Sequence, residues 1–299
     1  MNVIVTLIGF GIVQSAIFAV ATTGLTLQFG VSNYINFAYG EFMTFGALVC
    51  WFFAEGGPNL PLWASIVVAV VATGLLSMVV QRFLFGPFSR RRPQLLFALV
   101  VTFATSIALN NVWGVIWGTA YRQMPTLLPL NATFNVGPVA LNQNDGLYLL
   151  MAVGAIVLVE LMLFRTSLGT AMRAISDSQS LARVTGLNVA RTTDITWLIA
   201  GALAGLGGVL LAIETYTFNL DLGGSYLFLL FAAVIVGGIG KPRGALLGAR
   251  IVGLTTELAA IAVPSALTLA AVFVILILVL LIRPAGLLGQ PGSVTVKER

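Results

Sequence analysis

The sequence predicts an all-α polytopic integral membrane protein that crosses the bilayer eight or nine times. Hydrophobic residues make up 59% of the 299 positions and charged residues only 8%, and the mean hydropathy is +1.02. A soluble domain carries about 25% charged residues, so this composition does not supply a water-exposed surface. Apolar runs recur along the chain, each near the ~20 residues that a helix needs to cross a bilayer. Runs such as AAVFVILILVLLI do not alternate, which argues against a transmembrane barrel.

Nine apolar segments are the predicted membrane helices, and residues 1–299 are predicted to form a single transmembrane domain. The segments cover residues 3–29, 42–54, 60–81, 95–117, 146–164, 192–213, 225–239, 244–262 and 266–282. The second segment is short, so it is either a crossing of its own or half of one joined to the stretch before it. The counts of eight and nine follow from these two possibilities.

The basic residues indicate how the helices are oriented. In a nine-span path, fourteen of the fifteen lysines and arginines lie on one side of the membrane, and only Arg122 lies on the other. Cytoplasmic loops carry an excess of Lys and Arg, so this side, which includes the C-terminus, is predicted to be cytoplasmic. The pI of about 9.8 is therefore an orientation signal, and no nucleic-acid partner is expected. The fourteen residues on the predicted cytoplasmic side fall into four groups along the chain: Arg82 and Arg90–Arg92; Arg165, Arg173, Arg183 and Arg191; Lys241, Arg243 and Arg250; and Arg283, Lys297 and Arg299.

Residue types that carry catalysis are scarce. The chain has no histidine and one cysteine, Cys50, so the usual metal-ligand clusters and an internal disulfide are not expected. IVGGIGKPRG resembles a phosphate-binding loop at Gly240-Lys241, but Pro242 stands where Ser or Thr is required. The sequence therefore predicts neither an enzyme nor a bound cofactor. The first apolar segment has no basic region before it and is expected to be retained rather than cleaved as a signal peptide.

The stretch GVSNYINFAYGEF, Gly30 to Phe42, places amides and a carboxylate between the first two apolar segments. Its glycines permit a break in the helix, and non-helical backbone at membrane depth is tolerated only where it is buried in protein or lines a cavity. Asn33, Asn36 and Glu41 are therefore candidate residues of a polar path through the protein. The alternative interpretation is a simple turn at the level of the cytoplasmic headgroups.

Polar side chains inside the other segments are further candidates, because a charge at the bilayer centre costs about 2.5–3.5 kcal/mol. Glu257 lies well inside the eighth segment and is either a structural carboxylate or a path residue that meets an ammonium group. Thr102, Ser106 and Asn110 recur every four residues and form one stripe that is predicted to face the bundle interior. The stripe either joins helices or lines a weakly polar conduit. Glu214 is predicted to lie at the outer interface.

The longest polar loop on the predicted cytoplasmic side contains SDSQSLARVTG, which predicts a short helix. Ser176 or Asp177 can cap its start, and Gly186 can end it in a left-handed conformation. Leu181 and Val184 share an apolar face at helical spacing. A helix of two turns is not stable alone in water, so either the membrane domain or a partner must hold it.

Three regions resemble the permease subunits of ABC importers for branched-chain amino acids, the hydrophobic amino acid and amide uptake family. They are GLTLQFGVSNYINFAYGEFMTFGA at 24–47, the gapless run SLGTAMRAISDSQSLARVTGLNVARTTDITWLIAGALAGLGGVLLA at 167–212, and VIVGGIGKPRGALLGARIVGLTTE at 234–257. With the spans between them, the likeness covers essentially the whole chain, and it is strongest to the shorter of the two paired permeases. Where the family commonly reads INFAHGE, this chain has Tyr39 in place of the histidine, so no imidazole titrates there.

The resemblance implies a multi-pass permease of the bacterial inner membrane that forms half of a translocation pathway for branched-chain amino acids. The implied partners are a second homologous permease, two cytoplasmic ATPase subunits that bind the ATP, a soluble substrate-binding protein and membrane lipid. The loop at about 166–191 resembles the helix that couples a permease to its ATPase. This implies contact roles for Arg173, Ser180, Leu181, Ala182, Arg183 and Gly186.

Two alternatives to this function stay open. A permease of the same family for urea or short amides would share the same motifs. A secondary transporter driven by an ion gradient is a different class, and it often shows inverted repeats, of which the sequence has no clear instance.

Overall fold

The computed structural model of the chain describes residues 2–87, 95–126, 133–136, 139–264 and 267–289. Five of the basic residues used to orient the helices, Arg90–Arg92, Lys297 and Arg299, lie outside these ranges. The described ranges fold into eleven α-helices and four short strands.

The helices follow the apolar segments. They are α1 (Asn2–Ser32), α2 (Tyr39–Trp51), α3 (Leu62–Val80), α4 (Leu95–Trp117), α5 (Gln143–Arg165), α6 (Ser167–Asp177), α7 (Gln179–Val184), α8 (Val189–Thr215), α9 (Leu222–Gly237), α10 (Pro242–Ala262) and α11 (Thr268–Ile282). α2 and α3 continue in wider π-helical turns over Phe52–Gly56 and Gln81–Phe85. The strands form two small antiparallel pairs, β1 (Arg122–Gln123) with β4 (Thr217–Phe218) and β2 (Thr133–Val136) with β3 (Val139–Asn142).

Six of the described helices are long and apolar enough to cross a membrane. They cover Thr6–Ser32, Leu62–Phe85, Leu96–Trp117, Asn144–Arg165, Val189–Thr215 and Pro242–Ile261, and two shorter apolar helices cover Leu222–Gly237 and Thr268–Ile282. The chain is therefore a multi-pass α-helical membrane protein. The count of eight or nine crossings, and the interpretation of the stretch after the first span as a broken membrane segment, stay predictions.

Two helices form the centre of the bundle. Within the 18-residue apolar stretch that is able to cross a membrane, 78% of the residues of α1 and 72% of those of α8 are buried inside the protein. The corresponding share for α4 is 17%. α8 packs against α1, α2 and α3, and α1 also packs along α10. Since a bilayer exerts no hydrophobic force between helices, close van der Waals packing has to hold this centre together.

Small residues make that packing possible. Gly208 of α8 lies directly against the backbone of α2, where an added Cβ would overlap the carbonyl group of Met43. Gly205, one turn earlier, leaves room for the Thr73 side chain of α3. The glycine-rich run of α8 is thus a contact surface for two neighbouring helices at once.

Gly208→Ala is expected to lower the free energy of unfolding by about 1–3 kcal/mol, because the new methyl group must displace the α2 backbone. Gly154 of α5 provides the matched control, since a Cβ there would meet no atom within 4 Å. Alanine is the better helix former by roughly 1 kcal/mol, so Gly154→Ala should leave stability unchanged or raise it. Thermal unfolding of the purified variants in detergent measures the difference, and equal melting temperatures would contradict the packing described above.

Candidate functional site

The helical path is interrupted between α1 and α2, where residues 33–38 leave helical geometry. Asn36 is 2% exposed, and its Oδ1 accepts the N–H of Ala38 at 3.0 Å. Its Nδ2 donates to the Oε1 of Gln28, on α1, at 2.9 Å. Asn33 has a left-handed φ of 59° and lies exposed at the surface. Asn36 therefore stabilises the turn that leads into α2, whereas Asn33 does not reach the interior.

Buried donors tie this interruption to the two central helices. The Tyr39 hydroxyl donates to the carbonyl oxygen of Ala21 at 2.7 Å, and the Trp197 indole N–H donates to the Ser32 hydroxyl at 2.8 Å. Tyr39 stands where the related motif has a histidine, and here it acts as a fully buried hydrogen-bond donor to α1. The side chains of α2 and α8 thereby hold the end of α1 in place.

A buried carboxylate lies in the first turn of α2. Glu41 is 4% exposed; the Ser106 hydroxyl donates to its Oε1 at 3.2 Å, and the Asn110 amide donates to its Oε2 at 3.3 Å. The same Asn110 amide donates to the carbonyl oxygen of Leu220, just before α9, at 3.2 Å. None of the described lysines and arginines forms a salt bridge with Glu41. Polar side chains of α4, rather than a countercharge, therefore stabilise this carboxylate.

The polar stripe of α4 faces the bundle interior, as the sequence predicts. Thr102, one turn before Ser106, donates to the carbonyl oxygen of Ile35 in the interruption at 3.3 Å. The neighbouring Asn111 is exposed and donates only within its own helix, to Ile107 at 2.7 Å. The stripe therefore joins α4 to both α2 and the segment that precedes it.

A cavity of about 160 Å³ lies beside the interruption. Aromatic and aliphatic side chains of α1, α9 and the interruption line it, among them Phe37, Phe228 and Phe231. Gln28 and Asn36 are also among the residues that line it. The Nε2 of Gln28 is buried behind this wall and has no hydrogen-bond partner within the described part of the chain. Apolar walls with an unsatisfied donor behind them suit a small ligand that has an apolar body and a polar acceptor.

Glu257 does not join Glu41. It lies on α10, with its Cβ 3.5 Å from where a Cβ at Gly11 of α1 would stand, and its electrostatic neighbour is Glu214 at the end of α8. The Gln14 amide, oriented with its nitrogen toward Glu214, donates to the two carboxylate oxygens at 2.5 and 2.6 Å. Glu214, whose position at the outer interface stays a prediction, therefore contacts a buried glutamine of the central helix α1.

The polar loop after α5 forms α6 and α7. Because α6 runs to Asp177, the predicted cap at Ser176 or Asp177 is wrong, and Ser178 caps α7 instead. Its hydroxyl accepts the N–H of Leu181 at 3.3 Å. Gly186 follows α7 with a φ of 84°, so the prediction of a left-handed stop is confirmed.

α7 presents apolar side chains outward. Leu181 is 63% and Val184 85% exposed, whereas Ala182 between them is 3% exposed and faces the protein. The remaining candidate contact residues, Arg173, Ser180 and Arg183, are exposed as well. Nothing in the described ranges covers this apolar face, although the helix that carries it is anchored at Ala182.

α7 also touches the end of α1, next to the interruption. The Gln179 side chain donates to the carbonyl oxygen of Val31, in the last turn of α1, at 2.6 Å. Next to it, Gly30 lies against Ser176 of α6. α6 and α7 therefore both contact the last turn of α1, shortly before Asn36.

Apolar membrane helices around a buried carboxylate, convergent amides and a small cavity are typical of a membrane transport protein. Comparison with known proteins identifies which kind. The chain matches the family described as "Branched-chain amino acid transport system / permease component" over residues 7–282. It belongs to this family, the permeases of branched-chain amino acid ABC importers.

Curated relatives cover nearly the full chain. The chain is 29% identical to the high-affinity branched-chain amino acid transport system permease protein BraD of Pseudomonas aeruginosa, over 94% of both chains. It is 26% identical to the corresponding protein LivH of Escherichia coli K12, again over 94% of both. A probable branched-chain amino acid transport permease of Methanocaldococcus jannaschii is 27% identical over 93% of this chain and 90% of its own. No solved structure matches the chain.

Three buried residues with polar groups were not predicted from the sequence. Gln14 and Gln28 lie inside the first apolar segment, and both are in contact with candidate residues. Their signal was present, because an amide inside a membrane span needs a partner just as a carboxylate does. Trp197 carried no such signal, since its indole is apolar except for one N–H group.

Asn110→Leu is expected to destabilise the protein by roughly 1–3 kcal/mol, because it leaves one oxygen of the buried Glu41 without a donor and leaves the carbonyl of Leu220 with the Thr44 hydroxyl as its remaining donor. Asn111→Leu makes the same chemical change at the adjacent exposed position and should fall within about 0.5 kcal/mol of the wild type. The midpoint of thermal unfolding in detergent compares the two variants. If both lose the same stability, the amide of Asn110 does not hold Glu41 as described.

Proposed function

We propose that the chain is the membrane-spanning permease subunit of an ABC importer and forms half of a translocation pathway for branched-chain amino acids. The observation that carries this proposal is the cavity beside the interruption, with its aliphatic and aromatic walls and the unpartnered amide of Gln28. Family membership and the printed names of the relatives support the same substrate class. An isobutyl or isopropyl side chain meets the apolar walls, and a substrate carboxylate accepts from the Gln28 amide.

The proposed assembly contains a second homologous permease, two cytoplasmic ATPase subunits and a soluble substrate-binding protein, in the lipid of the bacterial inner membrane. In the proposed orientation the C-terminus and α7 face the cytoplasm. The chain itself performs no chemistry and binds no cofactor, because ATP binds the partner ATPases. The proposed pathway residues are Asn33, Asn36, Glu41, Thr102, Ser106, Asn110 and Glu257.

Coupling is proposed to run through α7. The exposed Leu181 and Val184 dock into an apolar groove of the ATPase. Arg173 and Arg183 make charged contacts beside them. Ser180, Ala182 and Gly186 stabilise the helix that carries these side chains. Since Gln179 holds Val31, a movement of the docked helix shifts the end of α1. The interruption at 33–38 then changes the surroundings of Glu41 and the cavity.

A same-family permease for urea or short amides is the second candidate, because the paired amides of Gln28 and Asn36 suit a neutral amide as well. The apolar walls of the cavity favour the branched-chain substrate over this alternative, since urea has no apolar body to bury. An ion-gradient-driven mechanism is not proposed, because the family is one of ABC permeases.

The assembled complex in liposomes tests the function. ATP hydrolysis is expected to rise when leucine-loaded binding protein is added, and labelled leucine should accumulate only when ATP is present. Accumulation of labelled urea in place of leucine would support the second candidate. Uptake driven by an ion gradient with this chain alone would contradict both.

Leu181→Asp combined with Val184→Asp is expected to abolish assembly with the ATPases, because a carboxylate cannot replace an apolar contact without a desolvation cost. Thr119→Asp introduces the same charge at an exposed position after α4, next to β1 at the other end of the bundle from α7, and it is the control. Co-purification of the ATPase subunits with the tagged permease measures the effect. Full recovery of the ATPases by the double variant would exclude α7 as the docking helix.

A further inference from the structure

A second polar cluster lies at the far end of the central helix α8. Five helices contribute to it: Gln14 comes from α1, Tyr148 from α5, Glu214 from α8, Tyr226 from α9 and Glu257 from α10. α8 begins next to α7 and is 27 residues long, so Glu214 lies about 40 Å from the proposed ATPase contact. In the proposed orientation this end faces the outside, where a binding protein delivers substrate.

The cluster brings two carboxyl groups together without a basic partner among the described residues. Glu214 and Glu257 interact electrostatically with each other, and neither forms a salt bridge with any described lysine or arginine. Gln14 satisfies Glu214 with one amide, but an amide supplies no positive charge. Two partly buried carboxylates of like charge are unfavourable together unless a proton or a cation neutralises them.

A tyrosine hydroxyl gives an independent sign of a missing ligand. Tyr148 is 2% exposed, and within the described ranges its hydroxyl has no hydrogen-bond partner. It lies within electrostatic range of Glu214 and of Asp145, at the start of the same helix. Buried hydroxyl groups are normally hydrogen-bonded, so this one has an unused donor and acceptor next to the carboxylates.

The arrangement favours an organic cation over a metal ion. Among the described residues no three acidic, cysteine or histidine side chains lie close enough to hold a metal ion. Tyr226 adds an aromatic ring beside the carboxylates, packed edge to face against Phe18 with 5.9 Å between ring centroids. Carboxylates together with aromatic rings suit an ammonium group, which donates hydrogen bonds and is attracted to ring faces.

We propose that Glu214, Glu257 and Tyr148 bind the primary ammonium group of an amino-acid substrate as it enters the permease. The identity of the substrate rests on the proposed function, whereas the site itself requires only a primary ammonium ligand. A neutral substrate such as urea donates N–H groups to a carboxylate but brings no positive charge to compensate two of them, so the site favours the amino-acid class over urea.

The test uses the purified complex of both permeases and the ATPases, with isopentylammonium chloride and isopentyl alcohol as probes at constant ionic strength. The probes share the apolar body and differ in charge. Isopentylammonium is expected to raise the midpoint of thermal unfolding in a saturable manner, because a ligand that binds the folded state stabilises it. The alcohol should produce no shift.

The variants assign the effect to the site. Glu214→Gln and Glu257→Gln should each weaken isopentylammonium binding at least tenfold, and Gln at position 214 still accepts from Gln14. Tyr148→Phe should weaken binding several-fold without changing the midpoint of the unliganded complex, since the lost hydroxyl has no protein partner. Glu160→Gln is the control, because Glu160 pairs with Arg243 at the exposed surface, and it should bind as the wild type does.

Two outcomes would overturn the proposal: equal shifts with the alcohol, or wild-type affinity in all three variants. ATP hydrolysis stimulated by leucine-loaded binding protein is measured on the same preparation. Stimulation without an ammonium-dependent shift rejects this site and leaves the proposed function intact. A shift that the variants abolish, in a complex without stimulation, supports the site and rejects the proposed function.

Discussion

Buried backbone that leaves helical geometry needs donors and acceptors from the rest of the protein. The rest of this structure depends on how that need is met between α1 and α2. Asn36 accepts from the backbone ahead of α2, Thr102 donates to the carbonyl of Ile35, and Trp197 donates to Ser32 at the end of α1. These side chains come from the interruption itself, α4 and α8, so the interruption fixes the relative positions of α1, α2, α4 and α8.

The same contacts make the interruption a point where distant parts of the protein meet. Gln179 of α7 donates to the last turn of α1. Glu41 lies in the first turn of α2, six residues after Ile35, whose carbonyl accepts from Thr102. A helix of 27 residues, α8, runs from this region to the opposite end of the bundle and packs through glycines along its length. Glycine contacts carry no large interlocking side chains, so such a helix can shift against its neighbours at a lower cost than one packed through branched residues.

The sequence was sufficient for the class of fold, for the short helix in the polar loop after α5 and for the direction of the polar stripe on α4. Those features depend on local composition and on periodicity within one helix, as the left-handed Gly186 and the spacing of Thr102 and Ser106 illustrate. Contacts between helices far apart in sequence could not be predicted. Pairing of Gln14 with Glu214 joins residues 200 positions apart, and no periodicity within either helix indicates it. The predicted cap at Ser176 or Asp177 was wrong for a local reason, because α6 extends to Asp177 and holds both residues in its own last turn, so that Ser178 caps α7.

The two carboxylate sites differ in how their charge is compensated, and this difference bears on transport. Glu41 already accepts from Ser106 and Asn110, so an arriving ammonium group must compete with protein donors and gains less by binding there. Glu214 and Glu257 repel each other and have no described basic partner, so a cation relieves an existing cost. If both sites lie on one pathway, binding is stronger at the end remote from α7 and weaker near the interruption. A substrate captured at the first site would then leave the second easily, which is the order that the proposed import requires.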